Sequence, residues 1–218
     1  MKIENPAKLP LTLSQQAIRR MPYYLKYLKN LDRERNKYIS ASAIAASLSF
    51  YEVLVRKDLA VVSSVSGKPR VGFAVEELIT DIEHYLGYDC VDSAVLVGVG
   101  HLGQALLCYR GFEDYGLDIA AAFDIDKSLV GREINGKEVF HVEKLANLCP
   151  RLNVRIGIIT VPAPAAQEVC DALVEGGVMA IWNFAPTQLK IPDKVLVQNE
   201  NMAESLAILT KHLMEKRR

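Results

Sequence analysis

The residues whose types and spacing could do chemistry begin with Gly98-Val99-Gly100-His101-Leu102-Gly103. An apolar run, SAVLVGV, leads into them and a helical segment leads out. Glycines in this pattern let a strand turn into a helix around a pyrophosphate. Gly98 would permit the tight turn, Gly100 the close approach of backbone to anion, and Gly103 the close packing of helix on strand. Val99 and Leu102 lie within the motif, and His101 contributes mainly backbone. The first N–H groups of the helix lack an intrahelical acceptor and can meet the charge. Asp124 follows Gly98 by 26 residues, at the end of a second apolar run, LDIAAAFD. A carboxylate there accepts hydrogen bonds from a ribose diol and repels a 2′-phosphate, so NADH and NAD+ are expected in preference to their phosphorylated forms. Asp126 is the rival carboxylate.

Two more segments, TVPAPAAQEV (160–169) and NFAPTQL (183–189), follow strand ends. They therefore belong at the carboxyl edge of the sheet, where ligands of such folds bind. Phe184 could stack near a nicotinamide or pack in the core, and Asn183 could bond the nicotinamide amide; Trp182 reads as core. Hydride transfer needs an acid or base for the substrate oxygen, and the chain offers none. No Tyr-x-x-x-Lys occurs, and His84, His101, His141 and His212 stand apart from any evident Arg or Asp partner. The chain is expected to bind a dinucleotide without consuming it; the alternatives are a small NAD(H)-dependent oxidoreductase and a dimeric NAD(H)-binding module without specific DNA recognition. Cys90, Cys108, Cys149 and Cys170 form no CxxC. They read as reduced, mostly buried thiols of a cytoplasmic protein, with no metal site.

The positioning elements follow from the pattern. The runs SAVLVGV, LDIAAAFD, VRIGIITV, GGVMAIWNF and KVLVQ alternate with helical segments. That alternation specifies an α/β unit, a Rossmann doubly wound parallel sheet covered by helices. Residues 1–70 differ from it, holding 13 Lys and Arg against 5 Asp and Glu in a chain of zero net charge. Such asymmetry suggests a polyanion for the first part alone, or else a solvated basic surface. Ile18, Met21, Leu25 and Leu28 make one helical stripe with Ser14 as N-cap and Pro22 at a kink. ISASAIAASLSF supplies a short helix capped by Ser40 or Ser42. YEVLVRKDLAVVS supplies another, with Tyr51, Leu54, Val55, Leu59 and Val62 inward, Glu52, Arg56 and Ser63 largely opposite and Lys57 at the flank. VSSVSGKPRVGF then reads as two short strands around a turn. Together these make an N-terminal winged helix-turn-helix domain for double-stranded DNA. Arg56 and Lys57 would lie at the major groove, with Lys68 and Arg70 on the wing. Val75, Leu78, Ile79, Ile82 and Leu86 form a linker helix stopped by Gly87, which divides the chain into 1–87 and 88–218. The N-terminus lacks an apolar core of signal-peptide length and no run reaches membrane-spanning length.

The chain resembles the Rex family of redox-sensing transcriptional repressors. The likeness is carried by RRMPYYLKYLKNL, VRKDL, GKPRVGFAVEEL, VLVGVGHLGQAL, FDID, IITVPAPAAQ and NFAPTQLKIPDKVLVQ. The resemblance implies a homodimer with an exchanged C-terminal helix, and operator DNA bound when NAD+ is high and released when NADH accumulates. It also implies that Gly98, Gly100, His101, Leu102 and Gly103 contact the pyrophosphate. Asp124 would hold the adenosine ribose with Ile125 beside the adenine. Thr160, Val161 and Pro162 would line the cofactor, Asn183, Phe184 and Ala185 approach the nicotinamide, and Tyr109 couple redox state to subunit arrangement. Met202, Leu206, Leu209 and Leu213 stripe the terminal helix for its partner. The chain departs from the family where RKDLSYFG becomes RKDLAVVS, where Phe50-Tyr51-Glu52 precedes it, and where Asn201 and Ser205 replace two carboxylates.

Overall fold

The computed structural model describes residues 13–65, 67–68 and 71–217. The chain forms two compact units, Met1–Asp89 and Cys90–Arg218, against an expected join at residue 87. The Arg70 expectation falls outside the described residues. No helix among the described residues is long and apolar enough to cross a membrane.

The first unit runs α1 (Gln15–Lys29), β1 (Tyr38–Ile39), α2 (Ala41–Leu48), α3 (Glu52–Val62), β2 (Phe73–Ala74) and α4 (Val75–Leu86). Ser14 caps α1 and Ser40 caps α2, their hydroxyls accepting from the N–H of Ala17 and Ala43. Between α2 and α3 lie only Ser49, Phe50 and Tyr51, with Ser49 left-handed at φ 56°; this is the helix-turn-helix.

Both expected helix faces shift by a residue or two, for one reason. The inward stripe of α1 is Ala17, Met21, Tyr24, Leu25 and Leu28, and that of α3 is Val55, Asp58, Leu59 and Val62. Asp58 is buried and accepts from Arg20 Nε and Nη2 at 2.8 and 2.9 Å and from the Tyr24 hydroxyl at 2.8 Å. Turning Tyr24 and Asp58 toward each other leaves Ile18, Tyr51 and Leu54 exposed. α1 runs through Pro22 without a break; the carbonyl that Pro22 cannot serve belongs to Ile18, on the exposed side.

The wing also differs. Among the described residues the expected hairpin reduces to one bridge, Lys68 to Gly72. The Ser64 N–H and hydroxyl bond Asp81 at 2.8 and 2.9 Å instead of a strand partner. β2 pairs antiparallel with β1, and at Gly72 (φ +93°) a Cβ would stand 2.2 Å from the Ile39 carbonyl oxygen.

The second unit carries a sheet in the order β5-β6-β4-β3-β7-β8-β9. Its strands are β3 (Asp92–Val97), β4 (Leu117–Asp124), β5 (Glu133–Ile134), β6 (Lys137–His141), β7 (Ile156–Ile159), β8 (Ala180–Asn183) and β9 (Leu196–Asn199). Only β5 is antiparallel to its neighbour. Counted along the chain, the six parallel strands take the order 3-2-1-4-5-6, the dinucleotide-binding arrangement. Val95 and Val97 point to one face, against α6 (Leu145–Arg151) and α7 (Ala163–Glu175). Ala94 and Leu96 point to the other, toward α5 (His101–Leu107). Burial on both faces explains why these strands read as continuous apolar runs. β6 was not expected: KEVFH is charged and buries only Val139. α8 (Met202–Lys216) closes the chain, exposed along its length.

Only two of the four cysteines are buried, Cys149 and Cys170; Cys90 and Cys108 are exposed at element ends. Burial pushes both core thiols up to about 11, which keeps them protonated and unreactive.

Removing Asp58 leaves three donors without an acceptor. Asp58→Ala is expected to cost about 2–3 kcal/mol, since the partly exposed Arg20 keeps some water. Desolvation, and then the bond to Asp58, push the Tyr24 hydroxyl from 10.0 to about 12. The folded state therefore favours neutral Tyr24, a contribution complete below pH 10 and lost as pH climbs through about 12. Urea unfolding of the full chain should show that alkaline loss, and Tyr24→Phe should remove it.

Candidate ligand cleft and nucleic-acid face

The turn from β3 into α5 is fixed from four directions. Gly98 N–H donates to the Phe123 carbonyl at 2.8 Å, and Val99 N–H donates to Asp124 Oδ2 at 2.6 Å. The Gln104 amide donates to the Val99 carbonyl at 3.0 Å. The Thr160 hydroxyl reaches the carbonyls of Gly98 at 2.6 Å and Val97 at 3.1 Å. Gly98 and Gly103 make the turn and the close packing that their spacing implied. Gly98 has φ +100°, and a Cβ there would meet the backbone of Thr160 at 2.9 Å. A Cβ on Gly103 would stand 2.0 Å from the Gly98 carbonyl oxygen, while one on Gly100 meets nothing within 4 Å. Gly100 therefore faces open space, beside the unpaired N–H groups that begin α5.

That space is a cleft of about 980 Å³. Of the expected ligand residues, Gly98, Gly100, Asp124, Ile125, Thr160, Val161, Pro162 and Phe184 line it. Val142, Leu145 and Ala146 add an apolar wall that the sequence reading missed, because it depends on β6. Val99 and Gly103 are buried beneath the turn, Leu102 is half-buried and His101 is exposed. The two rival carboxylates differ in their surroundings. Asp124 faces the glycine turn, whereas Asp126 accepts from Ser128 N–H at 2.8 Å. That backbone bond, with the Ser128 hydroxyl, holds Asp126 below the usual carboxylate range.

Asn183 requires a correction. Its side chain is fully buried and its amide donates to Ala185 O, Thr187 O and Asn199 Oδ1 at 3.2, 2.9 and 2.8 Å. Its Oδ1 accepts from Ala185 N–H at 3.0 Å. An amide so committed shapes the turn that presents Phe184, and its N–H hydrogens are taken within the chain. Ala185 is buried behind that turn. Phe184 lines the cleft and packs on Trp182 with ring centroids 4.9 Å apart. Trp182 continues to Phe112 at 5.7 Å and Phe112 to the exposed Tyr109 at 4.9 Å.

In the first unit, α3 exposes Val53, Arg56, Lys57 and Ala60 on one side. Arg56 pairs with Glu52, one turn back. Arg56 and Lys68 share a hollow of about 460 Å³ with Ser40 and Ser42; Lys57 lies outside its lining. Lys68 stands 5.9 Å from the Tyr38 ring centroid. Basic side chains on an exposed second helix and beside a wing are what docking on a duplex requires.

Comparisons with known proteins agree with both halves. A family model described as a putative DNA-binding protein N-terminus matches residues 12–60, and one described as a CoA binding domain matches residues 91–187. The redox-sensing transcriptional repressor Rex of Treponema denticola is 42% identical, covering 88% of this chain and 91% of its own. That of Carboxydothermus hydrogenoformans is 40% identical over 91% and 95%. Among solved structures, RSP in complex with β-NAD+ and operator DNA superposes with a TM-score of 0.87 at 34% identity, covering 94% of each chain. RSP in complex with β-NADH gives 0.82 at 35% identity, covering 94% of this chain and 96% of that one; RSP is described as a Rex-family repressor.

The contrast between glycines is testable by thermal melting. Gly103→Ala should lower stability by several kcal/mol or prevent folding, since backbone cannot give way as side chains do. Gly100→Ala, with ordinary φ and open space, should melt within about 1 kcal/mol of the parent.

Proposed function

Because the chain belongs to the Rex family of redox-sensing transcriptional repressors, we propose that it represses transcription by binding operator DNA as a homodimer and releasing it as NADH rises over NAD+. It acts as a regulator in the cytoplasm and does no chemistry on the dinucleotide. The observation that carries this reading is the pinned glycine turn. Its open side at Gly100 adjoins Asp124, in a chain whose other unit exposes Arg56, Lys57 and Lys68.

The residues present fit the cofactor. The N–H groups at the start of α5, from His101 to Gly103, would face the pyrophosphate across the bare Cα of Gly100. Asp124 would hold the adenosine ribose with its remaining lone pairs, and Ile125, Val142 and Leu145 would enclose the adenine. Thr160, Val161 and Pro162 line the middle of the cleft, and Phe184 meets the nicotinamide. When bound, the nicotinamide supplies a ring that is cationic if oxidised and neutral if reduced. Asn183 holds the loop that presents Phe184, and Tyr109 extends the aromatic chain outward.

Dimerisation falls to α8. Met202, Leu206, Leu209 and Leu213 are between 47% and 66% exposed. An apolar stripe of that length in water marks an interaction surface, and a second copy of the same helix-bearing unit is its partner. Exchange of the helix between subunits would pair the two recognition helices with half-sites about 34–36 Å apart on the duplex. A ligand that favours one subunit arrangement by ~1–3 kcal/mol changes DNA affinity about 5–150-fold. Asn201, where the family resemblance leads one to expect a carboxylate, caps α8 by accepting from the N–H of Ala203 and Glu204. It keeps the cap without the charge.

The test is DNA binding by the full chain to duplexes it selects from random sequence, with NADH and NAD+ titrated separately. NADH should weaken binding and NAD+ should not; indifference to both overturns the sensor. Arg56→Ala and Lys57→Ala should each weaken binding and flatten its salt dependence by about one counterion. Trp182 is the one tryptophan of the sequence, so NADH seated near Phe184 should quench its emission. Gly100→Ala should weaken that quenching at least about tenfold through lost approach to the anion.

A further inference from the structure

Three hydrogen bonds tie the cleft end of β8 to the start of α8. Trp182 Nε1 donates to the Glu200 carboxylate at 2.9 Å, and Glu200 N–H donates to the Asn183 carbonyl at 2.8 Å. The Asn183 amide donates to Asn199 Oδ1 at 2.8 Å. On one side of this knot Phe184 lines the cleft with its ring against the Trp182 indole, 4.9 Å between centroids. On the other side stands Asn201, the residue that caps α8. No residue of slack separates the ligand-facing ring from the helix that bears the apolar stripe.

We infer that the Trp182–Glu200 pair is a positioning element for the redox response, carrying the placement of Phe184 to the N-terminus of α8. The inference rests on the reading of the cleft as an NAD(H) site. Oxidised and reduced nicotinamide differ by a positive charge and by a hydrogen standing out of the ring plane, so they press differently on an aromatic face. A difference at Phe184 moves the indole that packs on it. The indole N–H is held by Glu200, so the indole moves together with the residue before the α8 cap. A ligand acts on an equilibrium only through differential contact with its two states, and here that contact has a fixed route to the dimer helix. Glu200 touches no ligand; it acts through Trp182.

The measurement is the coupling factor: the ratio of DNA dissociation constants with saturating NADH and without it, for the full chain on its selected duplex. Glu200→Ala should bind NADH within about threefold of the parent and bind DNA alone equally well, while its coupling factor falls about 2- to 30-fold. Glu200→Gln, whose side-chain oxygen still accepts from the indole, should retain coupling. Trp182→Phe, which keeps a ring but no donor, should behave like Glu200→Ala and serves in its place should that variant melt early. A coupling factor unchanged in both Glu200→Ala and Trp182→Phe overturns the inference, as does loss of NADH binding in both. A parent chain whose DNA affinity ignores NADH overturns the function itself instead.

Discussion

No atom can stand between the carbonyl oxygen of Gly98 and the Cα of Gly103. A methyl on Gly103 would lie 2.0 Å from that oxygen, well inside contact distance. This closeness sets where α5 begins, and with it the direction of the helix N–H groups and the bare backbone at Gly100. Everything else at the turn serves to keep it there. Asp124 holds one amide, Thr160 and Gln104 hold two carbonyls, and Phe123 holds the entering strand. These anchors come from the ends of β4 and β7 and from α5 itself, so the parallel order of the sheet is a precondition for the site.

How much of this the sequence disclosed depended on distance along the chain. The glycine turn, the N-caps at Ser14 and Ser40 and the parallel sheet are local patterns, and each was legible from a window of a few residues to a few tens. Arg20 and Asp58 are 38 residues apart, and no periodicity announces their pairing. Without it the stripes of α1 and α3 were read one step around, with Ile18 and Leu54 turned inward. Asn183 failed for a related reason. Its amide looked free because its acceptors, Thr187 and Asn199, come from a turn and from the next strand. β6 escaped because charged residues alternate around a single buried valine, which apolar counting cannot separate from a loop.

The two units stabilise themselves by different means, and the difference suits their tasks. The larger buries apolar strands on both faces and gives its ligand a wall that changes little. The smaller holds its recognition helix with a carboxylate in contact with a guanidinium and a phenol. Such a bond is directional: it fixes the rotation of α3 about its own axis, which apolar packing alone would leave less defined. That rotation decides whether Arg56 and Lys57 face outward together.

The exposed stripe of α8 has a further consequence, in the economy of the cell. On the proposed reading, two chains would have to meet before a pair of recognition helices could span one operator. While the chains are dilute and the promoter mostly free, occupancy would then follow the square of their abundance, so halving synthesis would cut repression to about a quarter. Gene dosage and dilution by growth would thus become inputs alongside metabolism.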